Sequence, residues 1–140
     1  MNVEKVLGPR MSFRIPAPRQ VIKQTMGDGA EIYSRVHGNP NGARIFIANG
    51  NGFAVDGYFP FWGPLCEQFE VVAFDFRNHG QNPIAKSGLA GHTYAQMTLD
   101  LNQVFRGVTE RLGSRISIGV FHSMSARAAM KHACELDFVW

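Results

Sequence analysis

The sequence predicts an α/β fold, a mostly parallel β-sheet with helices against it, entered through an N-terminal antiparallel hairpin. Three observations predict it. Arg44–Ala48, Val71–Phe74 and Ile116–Phe121 are short and apolar at successive positions, the pattern of strands covered on both faces. The stretch between the last two of these runs repeats apolar residues every three or four positions, the pattern of a helix with one buried stripe. Ahead of all three lie two further runs, divided by a glycine-rich turn. Parallel neighbours need crossover connections, so buried strands separated by helices pair in parallel.

Taken in order, Arg19–Met26 reads as a strand through Val21 and Ile22 and stops at Gly27-Asp28-Gly29. Ala30–His37 alternates through Ile32, Tyr33 and Val36, then breaks at Gly38-Asn39-Pro40-Asn41-Gly42, which makes the pair a hairpin. Arg44–Ala48 is the first central strand. Asp56–Phe69 holds a shortened helix, because Pro60 and Pro64 interrupt it. Thr93-Tyr94-Ala95-Gln96 is a capping-box pattern, and from it Met97, Leu101, Val104, Phe105, Val108 and Leu112 form one stripe ending at Gly113. The last helix starts at Ser123 or Met124 and runs to about Glu135, with a small alanine face that allows close approach to the sheet.

The chain has 140 residues, enough for one domain. Its 45% hydrophobic and 18% charged content is globular, not disordered. The net charge of +3 is scattered. Arg10, Arg14 and Arg19, interleaved with Pro16 and Pro18, are the nearest thing to a cluster; residues 1–18 read as a solvated arm, with residues 19–140 as the domain. This distribution argues against a nucleic-acid partner. Cys66 and Cys134 make no disulfide framework and are expected to be buried free thiols. No stretch reaches the roughly 18 apolar residues that span a bilayer, and the N-terminus lacks a signal-peptide core; a cytoplasmic location is expected.

Ser123 is the residue that points to chemistry. It stands where the apolar run Ile116–Phe121 gives way to the alanine-rich segment, and a hydroxyl at a sharp strand-to-helix turn is held out above the sheet. The first N–H groups of the next helix, at the positive end of its dipole, stabilise negative charge there. That is a place for a nucleophile. Asn49 and Asp75 come after strand ends in the same way, and in parallel sheets ligands bind at the carboxyl ends of strands.

Three landmarks together resemble the α/β-hydrolase superfamily, in its esterase, lipase and peptidase-like branch, from about Arg19 to Glu135. Ile47-Ala48-Asn49-Gly50-Asn51-Gly52 stands where that family has His-Gly-x-Pro or His-Gly-x-Gly after its third strand. Asp75-Phe76-Arg77-Asn78-His79-Gly80-Gln81-Asn82 is similar to its Asp-x-Arg-Gly-His-Gly-x-Ser after the fourth strand. Phe121-His122-Ser123-Met124-Ser125 is similar to the Gly-His-Ser-Met-Gly nucleophile elbow. The resemblance implies that Ser123 attacks a carbonyl to form an acyl-enzyme, with the backbone N–H groups of Met124 and Asn51 as oxyanion donors. It implies a small-molecule acyl substrate (an ester, thioester or amide), and neither a cofactor nor a metal.

The chain departs from the family pattern at several positions. Asn49 replaces a loop-ordering His, and Phe121 and Ser125 replace the two elbow glycines; Asn78 and Asn82 are ordinary turn substitutions. Plainer readings stand beside these. A Ser before a helix serves as an N-cap. Asn49–Gly52 reads alternatively as a simple turn or a piece of a dinucleotide-binding G-x-G-x-x-G, but Val55 stands where the third Gly belongs. His79 and His122 read as loop-ordering residues, His92 as preceding a helix cap, His132 as a helix-exterior residue, and Asp100 as a solvated or loop-tethering carboxylate. Phe53, Tyr58, Phe59, Phe61 and Trp62 are core or the wall of an acyl pocket.

A serine hydrolase also needs a base and an orienting carboxylate, which in this family come after the nucleophile. After Ser123 come only His132, Glu135 and Asp137, all on or just past the elbow helix, so no triad is expected from them. The resemblance thus covers the N-terminal half of the family fold, truncated after the elbow helix, with Leu136–Trp140 resembling the approach to a sixth strand. Ile116–Phe121 is then expected to be an open sheet edge, a place for self-association. The expectation is a serine hydrolase fragment, inactive alone; the alternatives are a non-catalytic hydrolase-like binding module or an inactive truncated product.

Overall fold

The structure, a computed structural model, describes residues 14–138 and 140. Arg10 and most of the expected arm lie outside the described residues. Five strands form one sheet: β1 (Gln20–Thr25), β2 (Glu31–Gly38), β3 (Arg44–Ala48), β4 (Glu70–Phe74) and β5 (Ser117–Phe121), in the spatial order β1-β2-β4-β3-β5. β1 pairs with β2, and β2 with β4, antiparallel; β3 pairs in parallel with both β4 and β5. The helices are α1 (Phe59–Trp62), a single turn, α2 (Tyr94–Leu112) and α3 (Met124–Leu136).

Alternation along the central strands sorts the core into two layers. Phe46, Val72 and Phe74 face α2 and α3, where they meet Leu101, Val104, Val108 and Ala128. Ile45, Ile47, Val71 and Ala73 face the other way, onto Val55 and Trp62. Every residue of β3 and β4 is buried, as the doubly apolar runs require. Each large apolar side chain so buried contributes about 1.5–3 kcal/mol relative to exposure. β5 has no strand beyond it among the described residues, and Ile116 and Ile118 are 77% and 40% exposed.

The Thr93 hydroxyl caps α2, accepting from the Gln96 N–H at 3.1 Å. Only half of the capping box forms, because the Gln96 amide donates to Asp100 instead. The segment expected as one shortened helix is three separate turns, Val55–Tyr58, α1 and Pro64–Glu67. Pro60 and Pro64 each sit in the first positions of a new turn, where a missing N–H costs nothing.

Some side chains differ from expectation. His132 is fully buried, not exterior, because Phe138 and Trp140 fold back over α3 and ring it at 5.0 and 5.3 Å. Burial holds its imidazole below the ordinary range. Cys134 is exposed, and Cys66 is half-buried with its thiol pushed up by desolvation. Arg19 pairs with Glu70 at 3.0 Å, which removes it from the cluster of free arginines. Among the described residues no helix is long and apolar enough to cross a membrane.

Candidate active site

Both loops that leave the central strands, and the turn after β5, gather at the carboxyl end of the parallel pairing. The first begins at Asn49, which is fully buried. Its amide donates to the carbonyls of Gly50 (3.0 Å) and Phe53 (2.9 Å), and its Oδ1 accepts the Phe76 N–H at 2.9 Å. One side chain therefore folds the β3 loop and ties it to the exit of β4, the loop-ordering work expected of that position. Asn51 lies exposed at the crest of this loop.

The second loop, Asp75–Asn82, braces the first. Asp75 is buried, its Oδ1 accepting the Val55 N–H at 2.7 Å and its Oδ2 facing Arg35 at 3.2 Å; burial pushes its carboxyl up, against the pull of the Val55 hydrogen bond. His79 orders both loops: Gly52 N–H donates to its Nε2 at 3.2 Å, and its Nδ1 meets the Arg77 carbonyl at 2.9 Å. Arg77 is fully buried between Asp100 on α2 and Asp28 in the β1–β2 turn. Asp100 is thus a tether, and its solvated alternative is excluded by its full burial.

Ser123 occupies the turn from β5 into α3 at φ 54°, ψ −112°. A side-chain-bearing residue there is strained by about 1–3 kcal/mol. The N-cap reading fails, because the Ser123 side chain makes no capping hydrogen bond. The residue is exposed, while its neighbour Met124 is buried as the first residue of α3. A first-turn N–H has no carbonyl partner within its own helix. Among the described residues the N–H groups of Asn51 and Met124 find no partner elsewhere either.

The two missing glycines of the elbow have physical substitutes. The Ser125 hydroxyl is buried in the turn, accepting the His122 N–H at 2.9 Å and donating to the His122 carbonyl at 3.0 Å. Phe121 is accommodated by Gly119, two residues back on the same face of β5. A Cβ at Gly119 would lie 2.5 Å from the Phe121 ring, which packs on Trp140. The glycine is displaced along the strand and leaves room for an aromatic ring.

Tyr58, read from sequence only as part of an aromatic wall, joins the two halves of the site. Its hydroxyl accepts the Gly50 N–H at 3.3 Å and bonds His122 Nδ1 at 2.9 Å. A Cβ at Gly50 would fall 2.7 Å from that nitrogen, so the approach needs glycine. No sequence signal marks Tyr58 except its place after the loop. Of the other aromatics, Trp62 is core, Phe59 packs on it, and Phe53 and Phe61 are 60% and 58% exposed. Phe53 rims a groove of about 390 Å³ that Asn51, His79, Leu89 and His92 also line.

No histidine is placed as a base. His37 is buried on Trp62, His79 and His92 stack beside the β3 loop, His122 is bonded to Tyr58, and His132 reaches Asn102. Among the described residues none of the five hydrogen-bonds a carboxylate. His132 lies nine residues along α3 from Ser123, about 13 Å at 1.5 Å per residue. Glu135 pairs with Lys131, and Asp137 ends the helix.

The strain at Ser123 is open to measurement. Ser123→Gly relieves it and is expected to raise stability by about 1 kcal/mol, after allowing for the extra unfolded-state freedom of glycine. Ser123→Ala keeps a Cβ and is expected to leave stability unchanged. Urea unfolding of the two variants separates these outcomes.

No protein-family model and no curated protein sequence matches the chain. Solved structures do. A hydrolase from Pseudomonas aeruginosa superposes with a TM-score of 0.70 at 18% identity, over 85% of this chain and 42% of its own. An esterase from Exiguobacterium antarcticum gives 0.69 at 20%, over 83% of this chain and 40% of its own. An alpha/beta hydrolase from Novosphingobium aromaticivorans gives 0.70 at 17%, over 85% and 40%. The chain spans about two fifths of the length of these structures. At such identities the likeness is one of fold. The chain has the α/β-hydrolase fold in part.

Proposed function

We propose that this chain supplies the nucleophile and the oxyanion donors of a serine hydrolase that cleaves an ester, thioester or amide of a small acyl group through an acyl-enzyme. Residues 19–140 are the N-terminal part of its domain, and the protein is cytoplasmic. Ser123 is the nucleophile, and the N–H groups of Asn51 and Met124 receive the negative charge of the tetrahedral intermediate. The observation that carries this reading is the backbone of Ser123: a positive φ at a non-glycine residue that is exposed and whose side chain makes no cap. The base and acid that complete the chemistry belong, on this reading, to the part of the fold that these 140 residues do not span.

A fluorophosphonate tests the proposal, because it labels a serine only where an oxyanion site and a base activate it. The protein as the cell makes it is expected to label, and Ser123→Ala to abolish labelling. Labelling that survives this substitution would place the nucleophile elsewhere. A second reading, a non-catalytic hydrolase-like binding module, is favoured by one observation: none of the described histidines hydrogen-bonds the Ser123 side chain. That reading expects no labelling at all.

A further inference from the structure

Gly52 N–H points at a ring nitrogen, and a ring nitrogen accepts only when it is unprotonated. The second contact of that ring fixes the tautomer. A carbonyl oxygen can only accept, so His79 Nδ1 carries the proton and donates to Arg77 O, leaving Nε2 as a lone pair for Gly52. The backbone that carries the ring is itself held. The His79 N–H is bonded to the Phe76 carbonyl at 3.1 Å, and Asn78, at φ 62°, accepts the Ala85 N–H and donates to the Gly88 carbonyl. Arg77, which supplies the carbonyl, is itself clamped by Asp100 and Asp28.

We propose that neutral His79 is a positioning residue for the oxyanion loop, holding Gly52, and with it the adjoining N–H of Asn51, in place through a hydrogen bond that protonation abolishes. The inference rests on the assignment of Asn51 as an oxyanion donor for its catalytic consequence, but not for the coupling itself. Once Nε2 gains a proton it faces the Gly52 N–H donor to donor, and the loop has to move. The charged and titratable groups around the ring come from three segments. His92, at 5.2 Å between ring centres and held below its ordinary range by burial, stacks on it; Asp75, Arg77 and, through Gln81, Asp56 lie on the loop side; Asp100 lies on α2.

The test is an NMR titration of the ¹⁵N,¹³C-labelled protein, as the cell makes it, between pH 8 and pH 5, tracking the His79 ring carbons and the Gly52 and Asn51 amides. The Gly52 amide is expected to shift with the same midpoint as the His79 ring. In His79→Gln, whose side-chain oxygen accepts without titrating, that shift is expected to vanish. A Gly52 amide that stays flat while His79 titrates would overturn the proposal, as would one that titrates unchanged in His79→Gln.

The activity readout, in the protein as the cell makes it, is a split between kcat and KM. Losing an oxyanion donor outright costs about 100- to 1,000-fold in kcat, so a misplaced one in His79→Ala is expected to cost about tenfold or more with KM nearly unmoved, and His79→Gln to restore most of it. Equal loss in both variants would contradict a positioning role. Failure of Ser123 to label with a phosphonate sinks the hydrolase reading but leaves the titration result standing, so the two are separable.

Discussion

Ser123→Ala is expected to lower the turnover of an activated ester by about 10⁴- to 10⁶-fold in the protein as the cell makes it, the range seen when the serine of a nucleophile–base pair is removed. The reason is the geometry of the turn. Ser123 sits at a strained φ of 54° at the head of its helix, and its side chain makes no capping hydrogen bond. Asn51 and Met124 present N–H groups with no partner among the described residues. Alanine removes the attacking oxygen and leaves this frame in place. The residual rate in the variant is expected to remain above that in buffer, because oxyanion donors work without a nucleophile. Assay of release from a p-nitrophenyl ester, with wild type and variant at equal concentration, checks both points.

Arg77→Met is expected to cost about 3–5 kcal/mol of stability, the penalty for leaving a buried charge without its partner. Arg77 binds Asp100 through Nε at 2.6 Å and Nη2 at 2.8 Å, with both side chains fully buried. Nη1 reaches Asp28 at 2.6 Å. One guanidinium thus joins the exit of β4, helix α2 and the β1–β2 turn, and the two carboxylates raise its pKa further above the ordinary arginine range. The double variant Arg77→Met/Asp100→Leu is expected to be more stable than Arg77→Met alone, since it leaves no unpaired charge at Asp100. Chemical denaturation of the three chains measures this. The same contact sets a pH dependence. The Arg77 hydrogen bond holds the Asp28 carboxyl below its ordinary range. Its stabilisation is therefore complete above the unfolded Asp pKa of about 4 and is lost as pH falls through the lower folded value. Arg77→Met is expected to flatten that acid limb.

How much of this was legible in the sequence depends on whether the signal was local. β3 and β4 were readable because their residues are apolar at nearly every position, and the structure buries them all. α2 was readable from its cap to Gly113 because a single stripe recurs over its whole length. The three turns after β3 were less so, since a proline marks where a helix breaks but not whether a new turn starts there. The burial of His132 was hidden because it comes from Phe138 and Trp140, whose return across α3 leaves no trace in helical periodicity. The Arg77 clamp joins residues 49 and 23 positions apart, and nothing local announces it.

The site divides in the same way. Asn49, Ser123 and His79 stood out through motif position, and each takes up a distinct geometry. The reason Phe121 fits lies at Gly119, which matters only once the two are seen on one face of β5. Tyr58 has significance only because Gly50 and His122, far apart in sequence, meet at its hydroxyl.

The most direct test of the account is to quench the protein in acid within its first turnovers of a p-nitrophenyl ester and locate the acyl group by peptide mass mapping. The account expects the acyl group on the peptide containing Ser123, and on its hydroxyl. An acyl group on any other residue, or turnover with no covalent intermediate and no effect of Ser123→Ala, would contradict it.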